Sequence, residues 1–352
     1  MAVSSFKGAH LWLCSSTTES LKIRLPLPLT VTVTVTVTVT MAVAFLPRLL
    51  LLWLVLAMLA PARAAEPLVV IVISERTASY TEAADALMAE LERGGLQRAD
   101  MALLTPAEFS AASALSPKLF VAVGTNASGL LAATDTRVPL IAALLPPGSF
   151  EQIVQTSGRK PSTVFSGVFL SQPFSRQLDL IRLALPEARR IGVLWGADVR
   201  NHAPALQEAA QTRGLQVVSA VVGSGESAYS ALQKILEDAD LLLAVANPLL
   251  YNSSSIKNIL LSSYRARVPF IGFSPAYVQA GAVFAVYSTP AMIGRQTAVM
   301  ARAFLQGKPL PAMPQYPQEF NVSVNEQVAR SLGLKLDAAA LGERLRLLER
   351  GP

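Results

Sequence analysis

The chain has 352 residues, 52% of them hydrophobic, with 30 Lys and Arg against 24 Asp and Glu and a net charge of +6. One cysteine and two histidines exclude a disulfide framework and a cysteine-rich metal site. Basic residues are not clustered with interleaved aromatics, so the excess charge does not point to nucleic acid.

The first 64 residues read as distinct from the working protein. Thr and Val alternate without a break from Thr30 to Thr40. Alternation at period two suits a half-buried strand, but such purity fits a translated dinucleotide repeat better, and residues 1–40 are expected to be a non-native leader. A true edge strand or a disordered leader are the alternatives. From Met41 the order of features is that of a secretory signal, with Arg48, an apolar run from Leu49 to Leu59, Pro61, and the small-x-small triplet Ala62-Arg63-Ala64. The run is shorter than the roughly 20 residues needed to span a bilayer, and an uncleaved N-terminal anchor is the alternative. Cleavage after Ala64 would leave 288 of the 352 residues. It would remove Lys7, Lys22, Arg24, Arg48, Arg63 and Glu19, leaving 25 basic and 23 acidic side chains, a balance of +2. Cys14 goes with the leader, and no cysteine follows the apolar run to carry a lipid. The expected location is the periplasm, without a lipid anchor.

The remaining chain alternates strands with helices. Leu68–Ile73 is a continuous apolar run, as in a strand covered on both faces. Ala83, Ala84, Leu87, Met88 and Leu91 recur at helical spacing over Tyr80–Leu91, and Gly94-Gly95 closes that helix. Further strands are expected at Leu119–Val123 and Val138–Leu145, the latter ending in Pro146-Pro147-Gly148. The second half repeats the scheme, with strands at Arg190–Trp195, Leu215–Val222, Leu241–Ala246 and Val268–Phe273. Helices at Ala203–Arg213, Ala228–Glu237 and Ser254–Arg265 separate them. Strands spaced by helices of ten to fifteen residues imply parallel sheets of βαβ units. The alternation loosens over Val164–Gln172 and Val283–Thr289, where crossings between two lobes are expected. A helix at Met292–Leu305, an extended segment from Pro309 to Pro317, a strand at Phe320–Val324 and terminal helices complete the chain. The expected fold class is α/β, two doubly wound parallel-sheet lobes joined by a hinge. Residues 65–168 with 290–318 would form one lobe, and 169–289 with 319–352 the other.

Catalytic signatures are missing. There is no Gly-x-Ser-x-Gly elbow and no phosphate-binding Gly-x-x-x-x-Gly-Lys loop. Outside the leader the one histidine is His202, read as a solvent-side or capping residue of the loop after a strand. Gly223-Ser224-Gly225-Glu226-Ser227-Ala228 fits a loose dinucleotide pattern. However, the next strand ends at Asn247-Pro248, where ribose binding wants an acid, so a tight turn is the better reading. No cofactor and no metal site are expected.

Ligands of parallel α/β sheets bind beyond the carboxyl ends of the strands. Those ends carry Ser74-Glu75, Thr125-Asn126, Trp195, Asn247 and Phe273-Ser274, mostly neutral hydrogen-bonding groups with aromatic faces. Thr125 and Asn126 precede a helix and suit either an N-cap or an anionic ligand.

The order of landmarks resembles the ABC-transporter substrate-binding proteins related to tryptophan- and tyrosine-binding proteins, within the type I periplasmic binding fold. The carriers are QPFSRQLDLIRLALPEARRIGVLWG (172–196), DLLLAVAN (240–247), VPFIGFSPAYVQAGAVFAVYSTPAMIGR (268–295), Phe320–Asn325 and Ser331–Leu334. The similarity runs from Leu68 to about Leu336. It implies two lobes with three crossings and a solute held between them. By position it also implies ligand contacts from Thr125, Asn126, Trp195, Asn247, Phe273 and Ser274, with a buried core aromatic as the alternative for Trp195. The family's acid at the Asp-Asn corner is Asn247-Pro248 here, and its Thr-Asp-Pro after the third strand is Leu145-Pro146-Pro147. An amino-acid ligand wants a carboxylate for its ammonium group, so a neutral or anionic solute is favoured unless Glu75 supplies the charge.

These readings point to a monomeric carrier of a small solute that works with an ABC permease and ATPase, touching the membrane only through them. A ligand-sensing subunit for a signalling receptor is the alternative, and an enzyme on the same scaffold a more distant one.

Overall fold

The computed structural model describes residues 66–351 apart from 113–114, 135–136, 197–201, 224–227, 248–249 and 253. The leader, the Thr/Val repeat, the signal segment, Pro248 and parts of the His202 and Gly223 motifs lie outside the described residues.

Two sheets organise the chain. The first has strand order β2-β1-β3-β4-β5, from Met101–Leu104, Val69–Ile73, Leu119–Val123, Leu140–Leu145 and Phe165–Phe169. All of its pairings are parallel. Every residue of β1, β3, β4 and β5 is buried, which is why β1, β3 and β4 read as unbroken apolar runs. Val69, Ile71 and Ile73 pack on one face with Leu87, Met88 and Leu91 of helix α1 (Ala78–Arg93). Val70 and Val72 face the other way, towards Ala127 and Leu131 of α3 (Thr125–Ala133) and Phe150 and Ile153 of α4 (Pro147–Ser157). Each such side chain contributes about 1.5–3 kcal/mol relative to exposure. A short helix α2 (Pro106–Ala111) starts on a capping box between Thr105 and Glu108.

The second sheet has order β11-β10-β9-β8-β6-β7, from Asn321–Val324, Phe284–Tyr287, Phe270–Gly272, Leu241–Leu243, Arg190–Gly196 and Gln216–Val222. Its pairings are parallel except β10 with β11. Ile191, Val193 and Trp195 pack on α5 (Phe174–Ala184) and α6 (Ala203–Gln211), and on the last helix of the chain (Ala338–Arg350). Leu194, Leu242 and Ala244 face α7 (Ala228–Asp238) and α8 (Ile256–Arg265). Helices α9 (Pro275–Ala280), α10 (Pro290–Leu305) and α11 (Glu326–Ser331) precede that last helix, α12. Two α/β lobes, each built on a mostly parallel sheet, are therefore present.

Several elements differ from the sequence reading for identifiable reasons. Pro146-Pro147-Gly148 does not merely end β4, because Pro147 opens α4 at its first position, where a missing N–H costs nothing. Strand β2 is short and only half-buried, which leaves too weak a pattern to read. Strands β8 and β9 span three residues each, shorter than the apolar runs that contain them. The loosened stretch at Val164–Gln172 contains β5, and the chain leaves the first sheet only after Phe169.

Helix α10 follows the second sheet in the chain yet packs on α1 of the first lobe, and Gly294 permits the approach. A Cβ at Gly294 would lie 2.2 Å from the Ala83 carbonyl oxygen. Gly294→Val is expected to cost about 1–3 kcal/mol by overpacking, read as a lower urea midpoint. Asp240 fastens the base of β6, accepting hydrogen bonds from the Arg189 and Arg190 amides, both at 2.8 Å, and from the Arg190 guanidinium. Burial alone would raise its carboxyl pKa, but these donors outweigh burial and hold it below the usual aspartate value. A depressed folded pKa stabilises above the unfolded value of about 3.9 and is lost as pH falls through that range. The stability gap between wild type and Asp240→Asn should thus be full at pH 7 and narrow as pH falls below the unfolded aspartate value, measured by denaturant titration.

Candidate functional site

A cavity of about 500 Å³ lies where the carboxyl ends of both sheets meet. From the first lobe it takes Pro146, Pro147 and Gly148 after β4, Leu170 and Ser171 after β5, and Ser79 and Glu82 of α1. From the second it takes Ala244–Ala246 after β8, Phe273–Ala276 after β9, and Val286 and Tyr287 of β10. A β-bulge with Leu144 at φ 59° turns the chain just before Pro146. Such a backbone is uncommon for leucine and has no sequence signal.

Aromatic side chains form much of the wall, each fixed from behind. Phe273 lies 4.4 Å from the Tyr277 ring and edge-on to Tyr251 at 6.2 Å. Tyr316 packs edge-on to Phe169 at 5.1 Å, and Phe169 to Phe150. Burial pushes the Tyr316 hydroxyl pKa up, and the negative charge of Glu151 adds to the rise. His202 caps α6 in position and lines the cavity, with Nε2 3.6 Å from a Glu151 carboxylate oxygen on α4. Of the two sequence readings, solvent-side or capping, the second describes its position at the N-cap, while its side chain makes no cap hydrogen bond and lines the cavity.

Of the residues singled out from the sequence, Phe273 and Ser274 line the cavity. The others are placed elsewhere. Ser74 Oγ accepts from the Ala127 amide at 3.0 Å and so caps α3, a role open to Thr125 or Asn126 on sequence grounds. Gly124 precedes that helix at φ 91°, and a Cβ there would lie 2.6 Å from Ser74 Oγ. Glu75 and Asn126 are exposed and Thr125 half-buried, all outside the cavity wall. Trp195 is 1% exposed and belongs to the core beneath the site, edge-on to the cavity-lining Phe174 at 6.4 Å. Its position at a strand end matched a pocket aromatic, but α5 covers it. Asn247 is buried, its Oδ1 accepting from the Leu250 amide at 3.3 Å to hold the turn after β8.

Polar residues at the crossings went unread. The chain passes between the sheets at Leu170–Pro173, Ser288–Thr289 and Tyr316–Phe320. Gln172, Arg176 and Ser288 are all buried there. Arg176 Nη1 donates to Gln172 Oε1 and to the Pro317 carbonyl, both at 2.7 Å. With its oxygen taken, Gln172 donates through Nε2 to Ser288 Oγ at 2.8 Å, and Ser288 Oγ donates to the Glu319 carbonyl. The other guanidinium nitrogens of Arg176 donate to Glu349 on α12, and its face lies 4.5 Å from the Phe320 ring centroid. All three crossings share this network, and Gln172 and Ser288 also line the cavity. Nothing local in the sequence marks a glutamine and a serine 116 positions apart as partners.

Among the described residues no group of three metal-ligating side chains is present, and no helix is long and apolar enough to cross a membrane. With a cavity at the carboxyl ends of both sheets, the structure is that of a two-lobed α/β protein. Residues 110–344 match the family model for ABC transporter substrate binding protein, and the chain belongs to that family. A conserved domain protein from Vibrio cholerae is 20% identical, covering 78% of this chain and 97% of its own, with a TM-score of 0.56. An ABC domain in complex with L-Trp from Streptococcus pneumonia is 18% identical, covering 79% and 98%, with a TM-score of 0.56. The ligand-free, open structure of a substrate binding protein with adhesive properties from Clostridium difficile is 16% identical, covering 77% and 96%, with a TM-score of 0.60. Comparison with curated proteins finds no match.

Arg176→Met is expected to lower stability by about 2–4 kcal/mol, because it strands the buried acceptors of Gln172 and Pro317 as well as Glu349. Glu349→Gln should cost less, since that carboxylate is 31% exposed and screened. Urea titrations of the two variants, with unchanged m-values, check the order.

Proposed function

We propose that this protein is the extracytoplasmic solute-binding component of an ABC importer, and that its two lobes close over one small solute in the cavity. The observation that carries this reading is the wall itself, which draws on the strand ends of both sheets and on all three crossings. A solute touching both lobes has more contacts in the closed than in the open arrangement, so it shifts a hinge equilibrium towards closure. A permease with its ATPase would recognise the closed shape. Family membership supports the same role. The signal-like segment ahead of Ala65 supports export to the periplasm.

The Gln172–Ser288–Arg176 network fits a hinge. It ties the crossings to one another and leaves the lobes joined mainly through them. Solute contact with Gln172 or Ser288 would reach the hinge directly.

A thermal-shift screen of protein beginning at Ala65, against amino acids, nucleosides, sugars, organic ions and aromatic metabolites, tests the reading. A solute held at 100 times its Kd stabilises by about 2.7 kcal/mol. The expected result is a rise in Tm that Phe273→Ala or Gln172→Ala abolishes. A rise that survives both substitutions, or no rise with any solute, would overturn the assignment of this cavity.

A further inference from the structure

Away from the crossings the two lobes meet through a pair of ionisable side chains. His202, at the start of α6 in the second lobe, holds Nε2 3.6 Å from a carboxylate oxygen of Glu151 on α4 of the first. Every other ion pair between described residues lies within one lobe or ends on Glu319 at the third crossing. Hydrogen bonds between described residues pass from lobe to lobe through the crossing residues Gln172, Ser288, Pro317 and Glu319. His202 lines the cavity and Glu151 does not, so the contact lies at the cavity's edge.

The contact is unfinished in this arrangement. Nε2 is buried and has no hydrogen-bond partner, and 3.6 Å is too long for one. Leaving a buried polar atom unmatched is costly, and the acceptor at hand belongs to the other lobe. An approach of about 0.8 Å would give a hydrogen bond to a carboxylate, which is stronger than one between neutral groups. Nε2 can carry the donated proton in the imidazolium and in one neutral tautomer. Neither side chain is committed elsewhere. His202 stands at the N-cap of α6 without making a cap hydrogen bond. Glu151 is the one charged residue of α4, and among the described residues no Lys or Arg pairs with it. Its charge reaches the cavity, adding to the rise that burial gives the Tyr316 hydroxyl pKa.

Resting on the reading that the lobes close over this cavity, we propose that His202 and Glu151 form a strap that draws α6 onto α4 and favours closure before any solute arrives. Closing completes the hydrogen bond. Water hydrates both groups when the lobes part, so the gain is modest, a closed-to-open ratio about two- to fivefold higher. The apparent affinity for a solute that binds the closed form scales with the closed fraction. The strap thus tunes affinity through the lobes themselves.

Interlobe distances measured by double electron–electron resonance on solute-free protein test this. Residues 65–352 form one compact unit and contain no cysteine. Nitroxide labels at Thr156→Cys on α4 and Gln207→Cys on α6, both exposed positions, therefore mark the two lobes. The expected result is a short and a long distance. His202→Ala and Glu151→Ala should each lower the short-to-long ratio about two- to fivefold, and the double variant no further. The exchanged pair, His202→Glu with Glu151→Arg, should restore the ratio. Circular dichroism checks that each variant is folded. A ratio that neither alanine substitution changes overturns the strap and leaves the closing lobes standing. One narrow distance in every protein overturns both. A loss that the exchanged pair does not restore overturns the pairing, since two unrelated structural effects would then explain it.

Discussion

Arg176 is buried where three chain crossings meet, and the arrangement of the two lobes depends on the four hydrogen bonds that its guanidinium donates. A guanidinium removed from water is tolerated only when its donors find acceptors, and here they find an amide oxygen, a main-chain carbonyl and a carboxylate. Phe320 covers its face. Each acceptor comes from a different part of the chain, so the charge can be satisfied only when those parts arrive together. The network thus specifies an arrangement of crossings as much as it stabilises one. Because Arg176 occupies the oxygen of Gln172, the direction of the whole series is set: Gln172 donates to Ser288, and Ser288 to the Glu319 carbonyl.

The site inherits its position from the sheets. Parallel strands point their carboxyl ends to one edge, and both lobes turn that edge towards the same cavity. The strands stop early at β8 and β9, and a bulge interrupts β4, so loops rather than regular backbone reach the opening. Aromatic residues at those loops are held by others behind them, as Phe273 is by Tyr251 and Tyr277. Preorganised rings lose little side-chain entropy when a solute arrives. The cavity is accordingly suited to recognition by shape and face, with few fixed charges.

Helix α10 shows how the lobes are interleaved in sequence. It leaves the second sheet after Tyr287, crosses at Ser288–Thr289, and settles on α1 of the first lobe with Gly294 against Ala83. Its capping by Thr289 and its contact with Glu82 place a helix start at the cavity rim. The Pro-rich stretch beyond it returns along β5, where Gln315 exchanges main-chain hydrogen bonds with Phe169 and Gly167. Only then does the chain cross for the last time. This third passage closes the hinge region around Arg176.

The sequence by itself determined the fold class, because strands covered on both faces must be continuous apolar runs and helices on a sheet must show one apolar stripe. Val69–Ile73, Leu119–Val123 and the helix around Leu87 are legible for that reason, as is family membership through the ordered segments from Gln172 to Leu334. Strand ends point to the neighbourhood of the cavity, and Phe273 and Ser274, singled out in this way, line it. The same logic pointed to Trp195 and Asn247, but burial beneath α5 and within the turn after β8 depends on what packs over a strand end. No local pattern encodes that. Glu82, Gln172, His202, Ser288 and Tyr316 come to one cavity from five separate stretches of chain, and only the tertiary structure decided their convergence. Their roles follow from which donors and acceptors were already occupied, a property of the assembled molecule.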